Sequence, residues 1–209
     1  MFEVELKLRA AHDPIREQLE AMDARNVGRV TQVDTYYNAP DRDFATTDEA
    51  LRVREESDTD EQSAGERASD EDSAESDTDA PAGDEGGTDE RVLLTYKGSL
   101  VDDSSKTRTE AETRVVDGDA VRNILAGLGY DAAATVEKRR DRYAVADCRV
   151  TLDRVAGIGE FVEVEYHEPV GEGDIDGARG AVTDLVTALG LDPAASIQTS
   201  YLGLQLAAE

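Results

Sequence analysis

From Phe2 to Arg9 the chain reads Phe-Glu-Val-Glu-Leu-Lys-Leu-Arg, alternating without a break between apolar and ionic side chains. A period of two is the pattern of a β-strand whose two faces meet different surroundings. Phe2, Val4, Leu6 and Leu8 form one face; Glu3, Glu5, Lys7 and Arg9 form the other. A solvated strand face usually mixes Thr, Ser and Lys. Here every polar position carries a charge, and later strands repeat the habit. Arg52 and Arg54 share a face, as do Thr95 and Lys97. Lys106, Arg108, Glu110, Glu112 and Arg114 align on another strand. The same holds for Lys138, Arg140 and Arg142, for Arg149, Thr151 and Asp153, and for Glu163 and Glu165.

One wet sheet face explains any single strand of this kind. Taken together, the strands need more, because their apolar faces also require cover. The spacing predicts strands over 2–9, 27–37, 51–55, 91–97, 106–116, 136–146, 148–155 and 160–168. Helices are predicted over 14–24, 119–128, 175–189 and 200–207, with Asp13 as N-cap of the first and Gly129 and Gly190 as stops. With the helices covering the apolar faces, the ionic faces turn inward. The expected fold is α+β: an eight-stranded antiparallel β-barrel with helices packed outside. A barrel interior crowded with paired acids and bases is costly to desolvate unless it stays wet and binds something ionic.

Charge and composition narrow the partner. The formal net charge is −26, with 48 acidic against 22 basic residues, which excludes nucleic acid and anionic membrane as partners of the general surface. The excess is spread over the chain but peaks between Glu55 and Glu90, where 16 acids meet one base. Both portions are acidic, so the surface reads as adapted to a salt-rich, halophilic cytoplasm, where screening shortens charge repulsion to roughly 3 Å. Residues 57–89 contain no aromatic residue, Leu, Ile or Val, so they cannot offset their ordering entropy and are expected to be disordered. Strand patterns flank them closely, so 1–209 reads as a single domain carrying an acidic insertion. Cys148 stands alone and excludes an internal disulfide. No leader is expected ahead of the first strand, and no apolar run approaches spanning length; the expectation is a cytoplasmic protein.

The inward candidates balance. Lys7, Arg52, Arg54, Lys97, Arg108, Lys138 and Arg140 face Glu3, Glu5, Glu110, Glu112, Asp153, Glu163 and Glu165. Such an interior suits an anion accompanied by cations. An esterified triphosphate carries roughly −4, which two divalent ions offset. Guanidinium forks and lysines suit phosphate oxygens, and carboxylates suit Mg²⁺ or Mn²⁺.

Glu-x-Glu-x-Lys on the first strand resembles the signature of the CYTH superfamily, the triphosphate tunnel metalloenzymes, among them class IV adenylyl cyclases, thiamine triphosphatases and inorganic tripolyphosphatases. Supporting motifs follow in that superfamily's order: Asp34-Thr35-Tyr36-Tyr37, Leu51-Arg52-Val53-Arg54, Thr95-Tyr96-Lys97-Gly98, Arg108 with Glu110 and Glu112, Lys138-x-Arg140, Asp153, and Glu163-Val164-Glu165. The resemblance runs from Phe2 to about Tyr201, the acidic insertion excepted. It implies a barrel enclosing a triphosphate tunnel. Glu3, Glu5, Asp153, Glu163 and Glu165 would hold two Mg²⁺ or Mn²⁺ ions, and Glu3, Glu5 and Lys7 would form the catalytic group. Lys7, Arg52, Arg54, Lys97, Arg108, Lys138 and Arg140 would hold the triphosphate. Glu110 and Glu112 either join the metal ligands or brace the bases, and Asp34 and Tyr36 are secondary inward candidates.

Three functions remain open on these residues. The first is a class IV-type adenylyl cyclase making cyclic AMP and pyrophosphate from ATP, favoured because Ser200-Tyr201-Leu202-Gly203-Leu204 resembles a segment of the cyclase-like branch. The second is a hydrolase of inorganic or organic triphosphate. The third is a non-catalytic module for polyphosphate or nucleotide. The expected partner is a small triphosphate, ATP or tripolyphosphate, with no nucleic acid and no membrane; a homodimer is left open. His12 and His167 are expected at the surface, Cys148 as a packing residue, and Gly157 and Gly159 as turn glycines.

Overall fold

The computed structural model describes residues 2–59, 90–102 and 107–208. The first alternating stretch folds as two strands, β1 (Phe2–Glu3) and β2 (Glu5–Arg9). They are followed by α1 (His12–Ala21), β3 (Arg25–Asn38), α2 (Phe44–Thr47) and β4 (Ala50–Asp58). After the insertion come β5 (Glu90–Asp102), β6 (Thr107–Val115), α3 (Gly118–Gly127), β7 (Asp131–Val145), β8 (Cys148–Val155), β9 (Gly159–Tyr166), α4 (Ile175–Ala188) and α5 (Tyr201–Leu206). All pairings are antiparallel, in the order β1-β6-β5-β4-β3-β7-β8-β9-β2.

The two ends of that order are consecutive in sequence, so the sheet wraps into a nearly closed barrel. Nine strands replace the expected eight because the first one changes partner. Glu3 lies opposite Arg108 of β6, whereas Glu5 lies opposite Glu165 of β9. At the switch, the Val4 carbonyl accepts from the Tyr166 amide at 3.0 Å.

Parity then divides the side chains. Leu6, Leu8, Val150, Leu152, Val162 and Val164 point outward and are buried beneath Ile15 and Leu19 of α1 and Val182 and Val186 of α4. Each fully buried aliphatic side chain contributes roughly 1.5–3 kcal/mol. Cys148 packs in this cluster, as expected of a small apolar residue. Tyr37, Phe44, Leu51, Val53 and Leu125 form a second outer cluster, which separates Tyr37 from inward-facing Tyr36. Gly157 and Gly159 have φ of 78° and 106° in the β8–β9 turn, a backbone region glycine enters without a Cβ penalty.

Several boundaries correct the expectation. Helix α1 begins at His12, not after an Asp13 cap; its N-cap is Ala11, which has no side-chain cap bond. Glu160 Oε2 accepts from the His12 amide at 3.2 Å instead, and Asp13 is spent on Arg16 at the surface. His12 is also not a surface residue: it is buried at 3 % exposure, its ring nitrogen 3.1 Å from the Phe161 carbonyl. His167 is exposed as expected. Helix α2 has too few residues for a helical period to register; Asp43 caps it and Phe44 anchors it. Ser57 and Asp58, assigned to the insertion by composition, belong to β4, and Ser57 pairs with Glu90. The rest of the expected disorder, 60–89, lies outside the described residues, as does Lys106. No helix among the described residues is long and apolar enough to cross a membrane.

Candidate active site

The barrel encloses a cavity of about 640 Å³ lined by ten basic and seven acidic side chains. Lys7, Arg52, Arg54, Lys97, Arg108, Lys138 and Arg140 all reach it, as do Glu3, Glu5, Glu110, Glu112, Glu163 and Glu165. Of the fourteen inward candidates, Asp153 alone stands behind the lining. The inference from parity therefore placed the ionic faces correctly, and the charges are not merely paired at a wet outer surface.

One part of the wall is built around buried carboxylates. Asp34, from the centre of β3, has no exposed surface and receives Arg54 through two hydrogen bonds of 2.5 and 2.9 Å. Lys138 donates to it at 3.1 Å, and Arg52 stands 3.6 Å away. Burial alone would raise the Asp34 pKa, but these three cations hold the carboxyl well below its usual range. Asp153 serves Arg140 in the same way. It accepts two bonds from that guanidinium and a third, at 2.9 Å, from the Tyr201 hydroxyl. Both Asp153 oxygens are thus engaged, and this residue orients Arg140 in the cavity wall. Arg140 also pairs with Glu163.

The surplus of bases shows in the protonation states. Burial, with Arg54 and Arg140 adding to it, pushes Lys138 down to about 7, although Asp34 pulls the other way. The Nε of Arg52 is a buried donor without a hydrogen-bond partner among the described residues. An unpaired buried donor is costly, and an acceptor oxygen reaching it from the lumen would relieve that cost.

A second part of the wall gathers carboxylates. Glu5 and Glu165 are directly opposed in register, an arrangement in which like charges repel. Burial, then the charges of Glu3 and Glu5, raise the Glu165 pKa to about 8. Lys97 bridges Glu3 at 2.6 Å and Glu110 at 3.0 Å, so Glu110 acts here as a brace. Glu112 accepts from the Thr95 hydroxyl at 2.8 Å. Burial would lower the Lys97 pKa, yet Glu3 and Glu110 outweigh it and keep the ammonium charged.

No three acidic, histidine or cysteine side chains among the described residues converge closely enough to hold an ion unaided. The donor chemistry nevertheless fits a hard divalent cation. Glu3, Glu5 and Glu165 offer carboxylate oxygens under mutual repulsion, and such ions commonly complete their shell with phosphate oxygens and water. The remaining two residues of the expected ligand set, Asp153 and Glu163, are tied to Arg140.

Helix α5 contributes what strand parity could not. Ser200 caps it, accepting from the Gly203 amide at 3.0 Å, and Tyr201 enters the cavity wall. The Tyr201 ring lies 4.5 Å below Lys7 Nζ and 5.3 Å from Lys138 Nζ, with Phe161 edge-on at 5.0 Å. Lys7 donates to the Thr199 carbonyl just before this helix. Further along, Arg91 and Arg142 both pair with Glu56, whose other partner is Gln32. Arg142 aligns with Arg140 as the sequence pattern indicates, and Glu56 shares parity with Arg54; Tyr201 lies on no strand, so parity is silent on it and only the Ser200–Leu204 segment marks it.

Residues 1–201 match the CYTH domain. The chain belongs to the CYTH family. This CYTH chain is 29% identical over 207 residues to a Methanocaldococcus jannaschii protein named as a candidate adenylate cyclase, covering 98% of this chain and 99% of the relative. Its fold matches a Pyrococcus horikoshii protein at 31% identity with a TM-score of 0.79, covering 99% of both chains. It also matches a Hippeastrum protein described as a candidate adenylyl cyclase with a dominant triphosphatase activity, at 14% identity and a TM-score of 0.58, covering 99% of this chain and 96% of that one.

Proposed function

We propose that this CYTH protein is a divalent-metal-dependent enzyme that binds a triphosphate inside the barrel and, with ATP, forms cyclic AMP and pyrophosphate. The observation that carries the triphosphate reading is the enclosed wall of Arg52, Arg54, Lys138 and Arg140, held in place by the buried carboxylates Asp34 and Asp153. The cyclase reading rests on the name of the Methanocaldococcus relative. Bound Mg²⁺ or Mn²⁺, as a pair of ions, would polarise the phosphoryl oxygens and lower the pKa of the attacking hydroxyl.

The chain's own residues supply alignment. Arg52, Arg54 and Arg140 clamp phosphate oxygens with charge-assisted forks whose orientation is fixed before substrate arrives. Lys138 gains a counter-ion on binding and takes up a proton near neutral pH. Glu3, Glu5 and Glu165 hold the cation side of the complex, and Lys97 keeps Glu3 oriented toward it. Cyclisation asks one thing more, that the ribose 3′-oxygen lie about 3–3.5 Å from the α-phosphorus and in line with its leaving group. Hydrolysis asks only for a positioned water. The Hippeastrum neighbour, by its description, favours that second chemistry on the same fold.

Phosphorus NMR of the protein with ATP and, separately, inorganic triphosphate, in molar KCl with Mg²⁺ or Mn²⁺, tests the proposal. The expected result is cyclic AMP and pyrophosphate in equal amounts with little orthophosphate. Orthophosphate from triphosphate with no cyclic AMP from ATP would replace the cyclase by a hydrolase. Tight binding of both without turnover would leave a binding module.

A further inference from the structure

We infer that the outside of the barrel carries a second oxyanion site, separate from the tunnel, which takes a small inorganic ion of the phosphate class, orthophosphate or pyrophosphate. It lies in a concavity of about 150 Å³ bounded by α1, β3, β7 and β8. Four arginines converge there: Arg16 from α1, Arg29 from β3, Arg139 from β7 and Arg154 from β8. This is a conspicuous investment for a chain whose acids outnumber its bases by 48 to 22.

The local pairing leaves charge unspent. Both oxygens of Asp141 are occupied, by Arg16 at 2.7 Å and by Arg29 through two bonds. Glu160 accepts from Arg154 at 2.6 Å. Asp13 pairs with Arg16 as well, at 3.3 Å, so three carboxylates face four guanidiniums. Arg139 makes no ion pair with any described residue, yet it stands directly opposite Arg154 in the β7–β8 ladder. Like charges in that register are unfavourable, and nothing in the outer apolar packing requires them. A bridging oxyanion converts the opposition into a clamp, because a planar guanidinium donates to phosphate oxygens through two N–H groups at a time.

The ligand class follows from size and charge. A cavity of this volume is below the roughly 300 Å³ at which sites for organic ligands begin, so a nucleoside does not fit. The floor is formed by Leu152 and the buried His12 ring, which offers little to a sugar or base. Arg139 and Arg154 are exposed, so binding is a surface interaction that salt weakens. Neither arginine touches the tunnel wall, which makes the inference independent of the chemistry proposed there.

Isothermal titration of the full chain with orthophosphate and, separately, pyrophosphate in 0.1 M KCl tests it. The wild type is expected to take up two equivalents of whichever ion is the ligand. Arg139→Glu should retain the tunnel equivalent and lose the outer one, and Arg139→Lys should weaken the outer one at least threefold while keeping it. Arg54→Ala should do the reverse, losing or weakening the tunnel equivalent alone. Circular dichroism checks that all three variants remain folded. An Arg139→Glu variant that keeps every equivalent the wild type binds, or a wild type that binds neither ion, would overturn the inference; a single wild-type equivalent lost in Arg139→Glu but kept in Arg54→Ala would support it. Loss of the same equivalent in Arg139→Glu and Arg54→Ala would also overturn it, since one site would then account for both.

Discussion

Replacing Glu165 by Gln should make the metal-free protein more stable, and by an amount that depends on pH in a defined direction. In the folded chain Glu165 keeps its proton up to about pH 8, against 4.5 for an unperturbed glutamate, because burial and the facing Glu3 and Glu5 charges oppose ionisation. Between those two values the folded state holds a proton that the unfolded state has released. Wild-type stability must therefore fall as pH rises through this window and level off above pH 8. The full shift corresponds to about 5 kcal/mol, since each pK unit is worth about 1.4 kcal/mol. The side chain is 29 % exposed to lumen water, so screening reduces this to roughly 2–3 kcal/mol. Glu165→Gln removes the titrating group and should lack that fall. Urea denaturation of both proteins with chelator, from pH 5 to 9 at fixed ionic strength, reads the difference. The curves should diverge by up to about 2–3 kcal/mol and then run parallel above pH 8. Divergence should shrink when Mg²⁺ is added, because a bound cation neutralises the repulsion in the wild type. Curves that stay parallel throughout would refute the claim that these carboxylates confront one another.

Two further outcomes follow from the opposite wall. Asp34→Ala leaves Arg54, Lys138 and Arg52 buried without their shared counter-ion, so it should cost about 3–5 kcal/mol in chemical denaturation; a loss under 1 kcal/mol would contradict its role as anchor. Lys138 titrates near 7 when folded and 10.5 when unfolded, so in between the unfolded chain binds more protons and stability rises with pH from about 7 to 10.5. Lys138→Met should abolish that rise, and an unchanged pH profile in the variant would show that another group causes it.

How much of this was legible beforehand depends on whether a residue sits on a strand. Period-two patterning assigns every strand residue to a face, so Arg54, Lys97 and Glu165 could be sent inward from sequence alone, and the cavity lining bears that out. Arg142 aligns with Lys138 and Arg140 in the sequence and lines the cavity, whereas Glu56 shares parity with Arg54 but falls just past the predicted strand, where few neighbours remain to show the alternation. What parity cannot say is depth. Asp153 shares its face with the lining residues yet is withdrawn behind Arg140, because a guanidinium is long and a carboxylate short. Tyr201 and the His12 contact with Glu160 depend on how helices dock, which no local period records. The split at Val4 is likewise a property of barrel closure, since one strand must leave one neighbour to reach another.

That split also dictates when the site can exist during folding. Glu3 meets Arg108, and Glu5 meets Glu165, across separations of more than a hundred residues, as Arg25 of β3 does in meeting Ala144 of β7, while all the other pairings join consecutive strands. Contacts so distant along the chain form slowly, because the entropy of closing the loop is lost before any pairing is gained. The β3–β6 and β7–β9 meanders can each assemble stepwise and then join through β3 and β7, but the first strand's glutamates take both their neighbours only when the circle shuts. A partly folded molecule would therefore possess the arginines of the proposed phosphate clamp without Glu3 and Glu5 in place. Chemical competence and the last topological step of folding are, in this architecture, the same event.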